Sequence, residues 1–120
     1  MQPKNILILE DEPIVSEFIA RSIHQRGNAN IRTVSEFADA SRVTEQWNAQ
    51  ILILNLKLLD GWISTKWLEG LLAQNVKKIV IASGGRSSDI PDYLCIDNRT
   101  SLLPKPFTAH QLISMLENDL

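Results

Sequence analysis

Short apolar runs alternate with longer stretches of helical periodicity, and this alternation is the feature that most constrains the fold. Residues 6–9, 51–54 and 79–82 are apolar at every position. A continuous apolar run is typical of a strand that is covered on both faces, as in a parallel sheet. Residues 31–34 and 102–103 are weaker strand candidates. The pattern therefore predicts five parallel strands separated by helices.

The segments between these runs are predicted to form amphipathic helices, which bury one face against the sheet. The first helix is predicted to begin at Pro13, which suits the first helical position, and to end near Gly27 with a left-handed cap. The last is predicted to begin at Thr108, which forms a capping box with Gln111. The predicted inward-facing residues are Ile14, Val15, Phe18, Ile19 and Ile23 in the first helix and Leu112, Ile113 and Leu116 in the last.

Two further helices are predicted in the middle of the chain, followed by a segment that is poorly marked. One helix follows Ser35, and the next begins at about Ser64. Their apolar faces are predicted to be Phe37, Ala40, Val43 and Trp47, and Trp67, Leu68, Leu71 and Leu72. The segment 86–99 is expected to hold only a short or mobile helix, because Pro91 limits where a helix can start. Right-handed crossovers then place helices on both faces of the sheet.

Length and composition favour one globular domain that spans residues 1–120, as a whole protein or as a fragment of a longer one. The 120 residues are 44% hydrophobic and 22% charged. The formal net charge is −2, and the 12 Lys and Arg residues are scattered, so the chain lacks the charge pattern of a nucleic-acid or membrane-surface binder. The single cysteine, Cys95, cannot form an internal disulfide, and the amino-terminal apolar run is too short for a signal peptide or a membrane span. We therefore expect a cytoplasmic protein.

Polar residues follow the predicted strands, at the edge of the sheet where doubly wound proteins bind their ligands. They are Glu10, Asp11 and Glu12 after the first strand, Asn55 and Lys57 after the third, Ser83 after the fourth, and Lys105 and Pro106 after the fifth. This set resembles the receiver domain of two-component response regulators, and the resemblance covers the whole chain. Residues 55–61, NLKLLDG, are similar to the family's D-L-x-L-P-D-G motif. The resemblance implies an α/β fold of three layers, flavodoxin-like, with a five-stranded parallel sheet in the strand order 2-1-3-4-5.

The resemblance also implies a role for each of these residues. Glu10 and Asp11 match the acidic pair that binds Mg²⁺ in the family, and Asn55 stands where the family has its phosphate-accepting aspartate. Ser83 matches the hydroxyl that contacts the phosphoryl group, and Lys105 matches the lysine that pairs with it. A phosphoryl transfer to a carboxylate needs these helpers together, because the metal, the hydroxyl and the ammonium offset the developing charge.

Asn55 removes the nucleophile from this arrangement. The lone pair of a carboxamide nitrogen is delocalised into its carbonyl, so Asn55 cannot attack a phosphoryl group as a carboxylate does. Three clustered carboxylates would repel one another and favour a divalent cation, whereas two carboxylates favour such a cation less strongly. In addition, Lys105 is expected to neutralise Asp11. We therefore expect no resident cofactor, weak Mg²⁺ binding at most, and no enzymatic activity.

Two further positions bear on the switch that the family uses. The family commonly has Tyr or Phe where this chain has Leu102, so a switch based on an aromatic rotamer is absent. By the same resemblance, Pro106 is expected to follow a cis peptide bond. Family analogy places the partner contacts on a face that comprises Tyr93, Arg99, Leu103, His110 and Gln111.

These observations favour a pseudo-receiver that acts by binding a protein, such as an output domain, a histidine kinase, a second receiver or another copy of itself. One alternative is an ordinary phosphorylated receiver in which Asn55 is an engineered replacement for the acceptor aspartate. A second alternative is a flavodoxin-like cofactor binder. The acidic run at residues 10–12 disfavours that alternative, because it would repel the cofactor's phosphate where a hydroxyl- and glycine-rich loop is required.

Overall fold

The computed structural model describes residues 3–55, 57–58, 61–74, 76–83 and 98–120, and for residues 57, 58, 61, 62, 65 and 83 it describes the backbone alone. The main sheet is formed by β1 (Lys4–Leu9), β2 (Ala29–Val34), β3 (Ile51–Leu54), β6 (Lys78–Ser83) and β7 (Thr100–Pro104). The short strands β4 (Lys57–Leu58) and β5 (Gly61–Trp62) form a separate antiparallel pair. The helices are α1 (Pro13–Arg26), α2 (Phe37–Gln46), α3 (Thr65–Leu72) and α4 (Ala109–Leu116).

The five long strands are parallel and lie in the order β2-β1-β3-β6-β7. This confirms the predicted fold class and the predicted order 2-1-3-4-5. The three continuous apolar runs belong to β1, β3 and β6, which occupy the three inner positions. The pair of short strands was not predicted, since two residues in each strand are too few to produce a sequence pattern.

The sheet is covered on both faces, which explains why its inner strands are apolar at every position. Leu7 and Leu9 pack on one face with α2 and α3, whereas Ile6 and Ile8 pack on the other face with α1 and α4. Successive side chains of a strand point to opposite faces, so each apolar run supplies both cores. All four residues of β3 are almost completely buried.

The helix boundaries agree with the predicted ones, and one predicted cap is wrong. Pro13 is the first residue of α1, Ser64 caps α3 by accepting a hydrogen bond from the Trp67 N–H, and Thr108 and Gln111 form the predicted capping box. Gly27 follows the last residue of α1, but its φ of 175° and ψ of −167° are extended rather than left-handed. The chain leaves α1 directly toward β2, so no left-handed turn is needed.

Two residues of the predicted inner face of α1 are exposed. Ile19 and Ile23 are buried against the sheet as predicted, whereas Ile14 is 84% exposed and Phe18 is 40% exposed. Ile14 belongs to the first turn of α1, which lies beside the loop after β7 rather than over the sheet. The apolar stripe of α1 is therefore longer than the part that the core covers.

The predicted fourth helical segment, 86–99, lies outside the described residues except for Asn98 and Arg99, which form a turn before β7. Cys95 also lies outside them. No helix in the described part of the chain has the length and hydropathy needed to cross a membrane.

Candidate functional site

Three strand ends bring the predicted pocket residues together at the carboxyl edge of the sheet. Glu10 directly follows β1, Asn55 directly follows β3, and Lys105 directly follows β7. Backbone hydrogen bonds hold two of these ends in place, because the Glu10 N–H donates to the Val34 carbonyl and the Asn55 N–H donates to the Leu9 carbonyl. The sheet therefore fixes the backbone of Glu10 and Asn55 at this edge.

Glu10 lies at the centre of this pocket, and its carboxylate is almost completely buried. Its Oε2 accepts a 2.8 Å hydrogen bond from Nζ of Lys105, whose side chain is 18% exposed, and the two groups form an ion pair. Its Oε1 accepts from the backbone N–H of Glu12 at 3.2 Å. Lys105 was expected to neutralise Asp11, and that expectation is wrong, because the described ion pair is with Glu10. The buried member of the acidic pair has the greater need of a counter-charge, since an unpaired buried charge is costly.

Asn55 links the two acidic side chains through its amide nitrogen. Nδ2 lies 3.5 Å from Oε1 of Glu10 and 3.3 Å from Oδ1 of Asp11. An ionised carboxylate can only accept hydrogen bonds, so the amide must present its N–H₂ group to this side of the pocket. Each of its two hydrogens then serves one carboxylate. An aspartate at this position would instead add a third negative charge and no donor.

Oxygen ligands of the kind that Mg²⁺ prefers are present, but both oxygens of Glu10 and one of Asp11 already accept hydrogen bonds. The carboxylate oxygens of Glu10, Asp11 and Glu12 lie within 4.8 Å of one another. Glu10 is paired with Lys105, and Asn55 turns an N–H₂ group toward both Glu10 and Asp11. An N–H group cannot ligate a cation, so metal binding would require Asn55 to rotate and lose both hydrogen bonds. The residues therefore fit Mg²⁺ only in part.

Two other predicted pocket residues belong to the same edge of the sheet. The peptide bond between Lys105 and Pro106 is cis, as predicted. Ser83 is the last residue of β6 and pairs in register with Pro104, the last residue of β7. The side chain of Ser83 lies outside the described part, so its role as the switch hydroxyl stays a prediction.

Of the five residues of the predicted partner face, the structure shows one to be buried. Leu103 is only 3% exposed and packs in the core with α4, so its assignment to a contact surface is wrong. Arg99 is half-buried before β7 and donates to the Val76 carbonyl, whereas His110 and Gln111 are exposed in the first turn of α4. Tyr93 lies outside the described residues.

The structure shows instead an apolar groove beside the pocket, which the sequence analysis did not identify. Its residues are Ile14, Val15 and Phe18 of α1 and Lys105, Pro106 and Phe107 of the loop after β7. The groove has a volume of about 500 Å³, and the ring centroids of Phe18 and Phe107, which both line it, lie 6.0 Å apart. Ile14 and Phe18 are the large hydrophobic residues that the described part of the chain exposes. The available signal was the apolar stripe of α1, which extends to its first turn.

Several solved structures are similar to this chain over nearly its whole length. A signal receiver domain from Vibrio parahaemolyticus matches with a TM-score of 0.83 and 22% identity, covering 98% of this chain and 89% of that one. The chemotaxis response regulator CheY4 of Vibrio cholerae matches with a TM-score of 0.81 and 14% identity, covering 99% and 100%. SdrG from Sphingomonas melonis Fr1 matches with a TM-score of 0.79 and 27% identity, covering 98% and 97%. No protein-family model and no curated protein sequence matches the chain.

Proposed function

We propose that this chain, which has the fold of response regulator receiver domains, is a receiver-like module of two-component signalling that binds a partner protein without being phosphorylated. The observation that carries the proposal is the position of the Asn55 amide. It donates to Glu10 and Asp11 from the strand end where the resemblance places a phosphate-accepting aspartate. In this proposal the domain is not an enzyme, and its role in a phosphorelay is that of a binding protein.

The chemistry of the pocket supports the absence of phosphoryl transfer. Asn55 lacks a carboxylate nucleophile, because the lone pair of its amide nitrogen is delocalised into the carbonyl and the group is uncharged. Glu10 is buried and paired with Lys105, so its carboxylate is not presented to a phosphodonor. Glu12 and Asp11 remain accessible. However, neither follows the third strand, where the metal, the hydroxyl and the ammonium that assist the reaction would converge.

The same contacts support a pocket that stays in one arrangement. A ligand shifts a conformational equilibrium only if it binds one state better than the other. In this chain the acidic pair is satisfied by Asn55 and Lys105, which are always present. Leu102, half-buried against the core, stands where the family has an aromatic switch residue. We therefore infer that the domain does not change its surface in response to a phosphoryl group.

The apolar groove supports the proposal that the domain acts by binding another protein. Exposed apolar patches on small domains commonly mark interaction sites. The groove lies next to the Asn55 pocket, because Lys105 contributes to both. A partner seated on Ile14 and Phe18 would therefore also cover the pocket. The partner classes that we propose are a histidine kinase, an output domain or a second receiver, and the proposed compartment is the cytoplasm.

A paired labelling experiment tests the proposal. The native chain and the Asn55→Asp variant are incubated with acetyl phosphate and Mg²⁺, and the phosphoryl adduct is measured by intact-protein mass spectrometry. We expect no adduct on the native chain. Labelling of Asn55→Asp, and its loss in the double variant Asn55→Asp with Asp11→Ala, would show that the remaining residues form a competent pocket. An adduct on the native chain would overturn the proposal.

A further inference from the structure

A polar cleft lies at the amino-terminal edge of the sheet, opposite the Asn55 pocket. It has a volume of about 790 Å³ and lies between the start of β1, the start of β2 and the segment before β3. Carboxamide side chains dominate its walls, and they are those of Asn5, Asn28, Asn30, Asn48 and Gln50. The proposed function uses none of these residues.

Some of the carboxamide groups in this cleft make hydrogen bonds within the protein, and these form the engaged set. The others form the free set. Asn5 is engaged, because its Nδ2 donates to the Asn48 carbonyl and its Oδ1 accepts from Nδ2 of Asn30. Gln50 uses its oxygen to accept from the Asn5 N–H. Within the described part of the chain, the side chains of Asn28 and Asn48 make no hydrogen bond, and neither does the amide nitrogen of Gln50. The engaged set fixes the walls, and the free set offers both donors and acceptors to a ligand.

The cleft also has one positively charged residue in its wall and a second one beside it. Lys4 lines it, and Lys77 follows the same edge, where its N–H donates to the Gln50 carbonyl. Direct contact with Lys77 and the repulsion between the two ammonium groups lower the pKa of Lys4, and Asp119 offsets this only in part. Two adjacent ammonium groups are most readily satisfied by one anion that accepts hydrogen bonds from both.

We propose that this cleft binds a small polyhydroxylated anion of the sugar-phosphate class. The phosphate would lie against Lys4 and Lys77, and the hydroxyls would bond to the free amides of Asn28, Asn48 and Gln50. A hydroxyl both donates and accepts, which matches a carboxamide. The cleft volume lies in the range of about 300–1,000 Å³ that is usual for small-molecule sites. The site is independent of the proposed function, because it shares no residue with the Asn55 pocket.

An amide NMR titration of the 120-residue chain tests the proposal with three probes. Ribose-5-phosphate supplies both the phosphate and the hydroxyls, whereas ribose and inorganic phosphate each supply one of them. We expect ribose-5-phosphate to shift the amide signals of the cleft residues with an affinity about tenfold higher than either of the other probes. Shifts confined to residues 10–12 and 55, or equal affinity for ribose-5-phosphate and inorganic phosphate, would overturn the proposal.

Substitutions at two residues that line the cleft test whether the anion binds there. Lys4→Gln and Asn48→Asp are each expected to weaken binding of ribose-5-phosphate by about tenfold or more, since one removes a positive charge and the other adds a negative one. Lys66→Gln is the matched control, because Lys66 is exposed on α3 and does not line the cleft. Thermal melts establish that each variant is folded. Equal weakening by Lys66→Gln, or no effect of Lys4→Gln, would contradict the assignment.

Discussion

Glu10 and Lys105 are 95 residues apart in the chain, and their side chains form a 2.8 Å ion pair between the end of β1 and the loop after β7. The pair is largely withdrawn from water, since the exposed fractions of the two side chains are 2% and 18%. It therefore joins the first strand of the chain to the last one at the edge where the candidate site lies. Removing one member leaves the other as an uncompensated charge, which makes the pair open to a direct test.

Lys105→Met is expected to destabilise the domain by about 3 kcal/mol, because it leaves the Glu10 carboxylate buried without its counter-charge. The free energy of unfolding in urea measures this cost. The double variant Glu10→Gln with Lys105→Met is expected to recover part of the loss, since a neutral amide is less costly to bury. Lys66→Met, at an exposed position on α3, is the control and should change stability by less than about 0.5 kcal/mol. If Lys105→Met lowers the free energy of unfolding by less than about 1 kcal/mol, the conclusion that Lys105 compensates a buried charge on Glu10 is contradicted.

Asn55→Asp is expected to make the stability of the domain depend on Mg²⁺. The substitution places a third carboxylate beside Glu10 and Asp11 and removes the hydrogen-bond donor that links them. The melting temperature of the variant should fall below that of the native chain in EDTA and rise again when Mg²⁺ is added, because a ligand that binds only the folded state stabilises it. The native chain should respond much less. Equal stabilisation of both proteins by Mg²⁺ would show that the Asn55 amide does not hinder metal binding.

Substitutions in α1 are expected to separate the groove from the core. Ile14→Ser should change the free energy of unfolding by less than about 0.5 kcal/mol, because Ile14 is 84% exposed. Ile19→Ala, five positions further along the same helix, should cost about 2–5 kcal/mol, because Ile19 is fully buried. Urea unfolding of the two variants measures both effects.

The Ile14→Ser variant also bears on partner binding. If the groove is the binding surface, Ile14→Ser should weaken the affinity for a histidine kinase domain that binds the native chain by about tenfold or more in calorimetry. His110→Ser, at an exposed position of the face that the resemblance suggested, provides the comparison. Loss of affinity in His110→Ser alone would favour that face over the groove.

The repulsion between Lys4 and Lys77 predicts a dependence of stability on pH. Contact with Lys77 lowers the pKa of Lys4 in the folded state below its ordinary value of 10.5, so the unfolded chain binds the proton more tightly. Stability from this group should therefore rise as the pH increases through the folded-state pKa toward 10.5, and it should be lowest below that interval. Lys4→Gln should remove this rise and should raise the melting temperature at neutral pH and low salt. Added salt should reduce the difference by screening the repulsion, and a difference that is unchanged in high salt would contradict the electrostatic cause.

Local patterns in the sequence were sufficient to predict most of the fold. The apolar runs at 6–9, 51–54 and 79–82 predicted the inner strands, because a strand that is apolar at every position requires a cover on both faces. Pro13 and Thr108 marked the starts of α1 and α4, since capping depends on residues within one turn of the helix. The resemblance implied the strand order, and the positions of residues 10, 55 and 105 directly after the strands predicted that they converge. The structure shows both.

The sequence by itself determined the five strands of the main sheet, the four described helices and the amide at residue 55, because these depend on the identity and spacing of neighbours along the chain. The tertiary structure alone decided that Lys105 pairs with Glu10 rather than Asp11, that Ile14 is exposed and that Leu103 is buried. It also gave Gly27 an extended backbone. These outcomes depend on the distances between segments that are far apart in the chain and on the surfaces that those segments cover. A local sequence pattern contains no information about either.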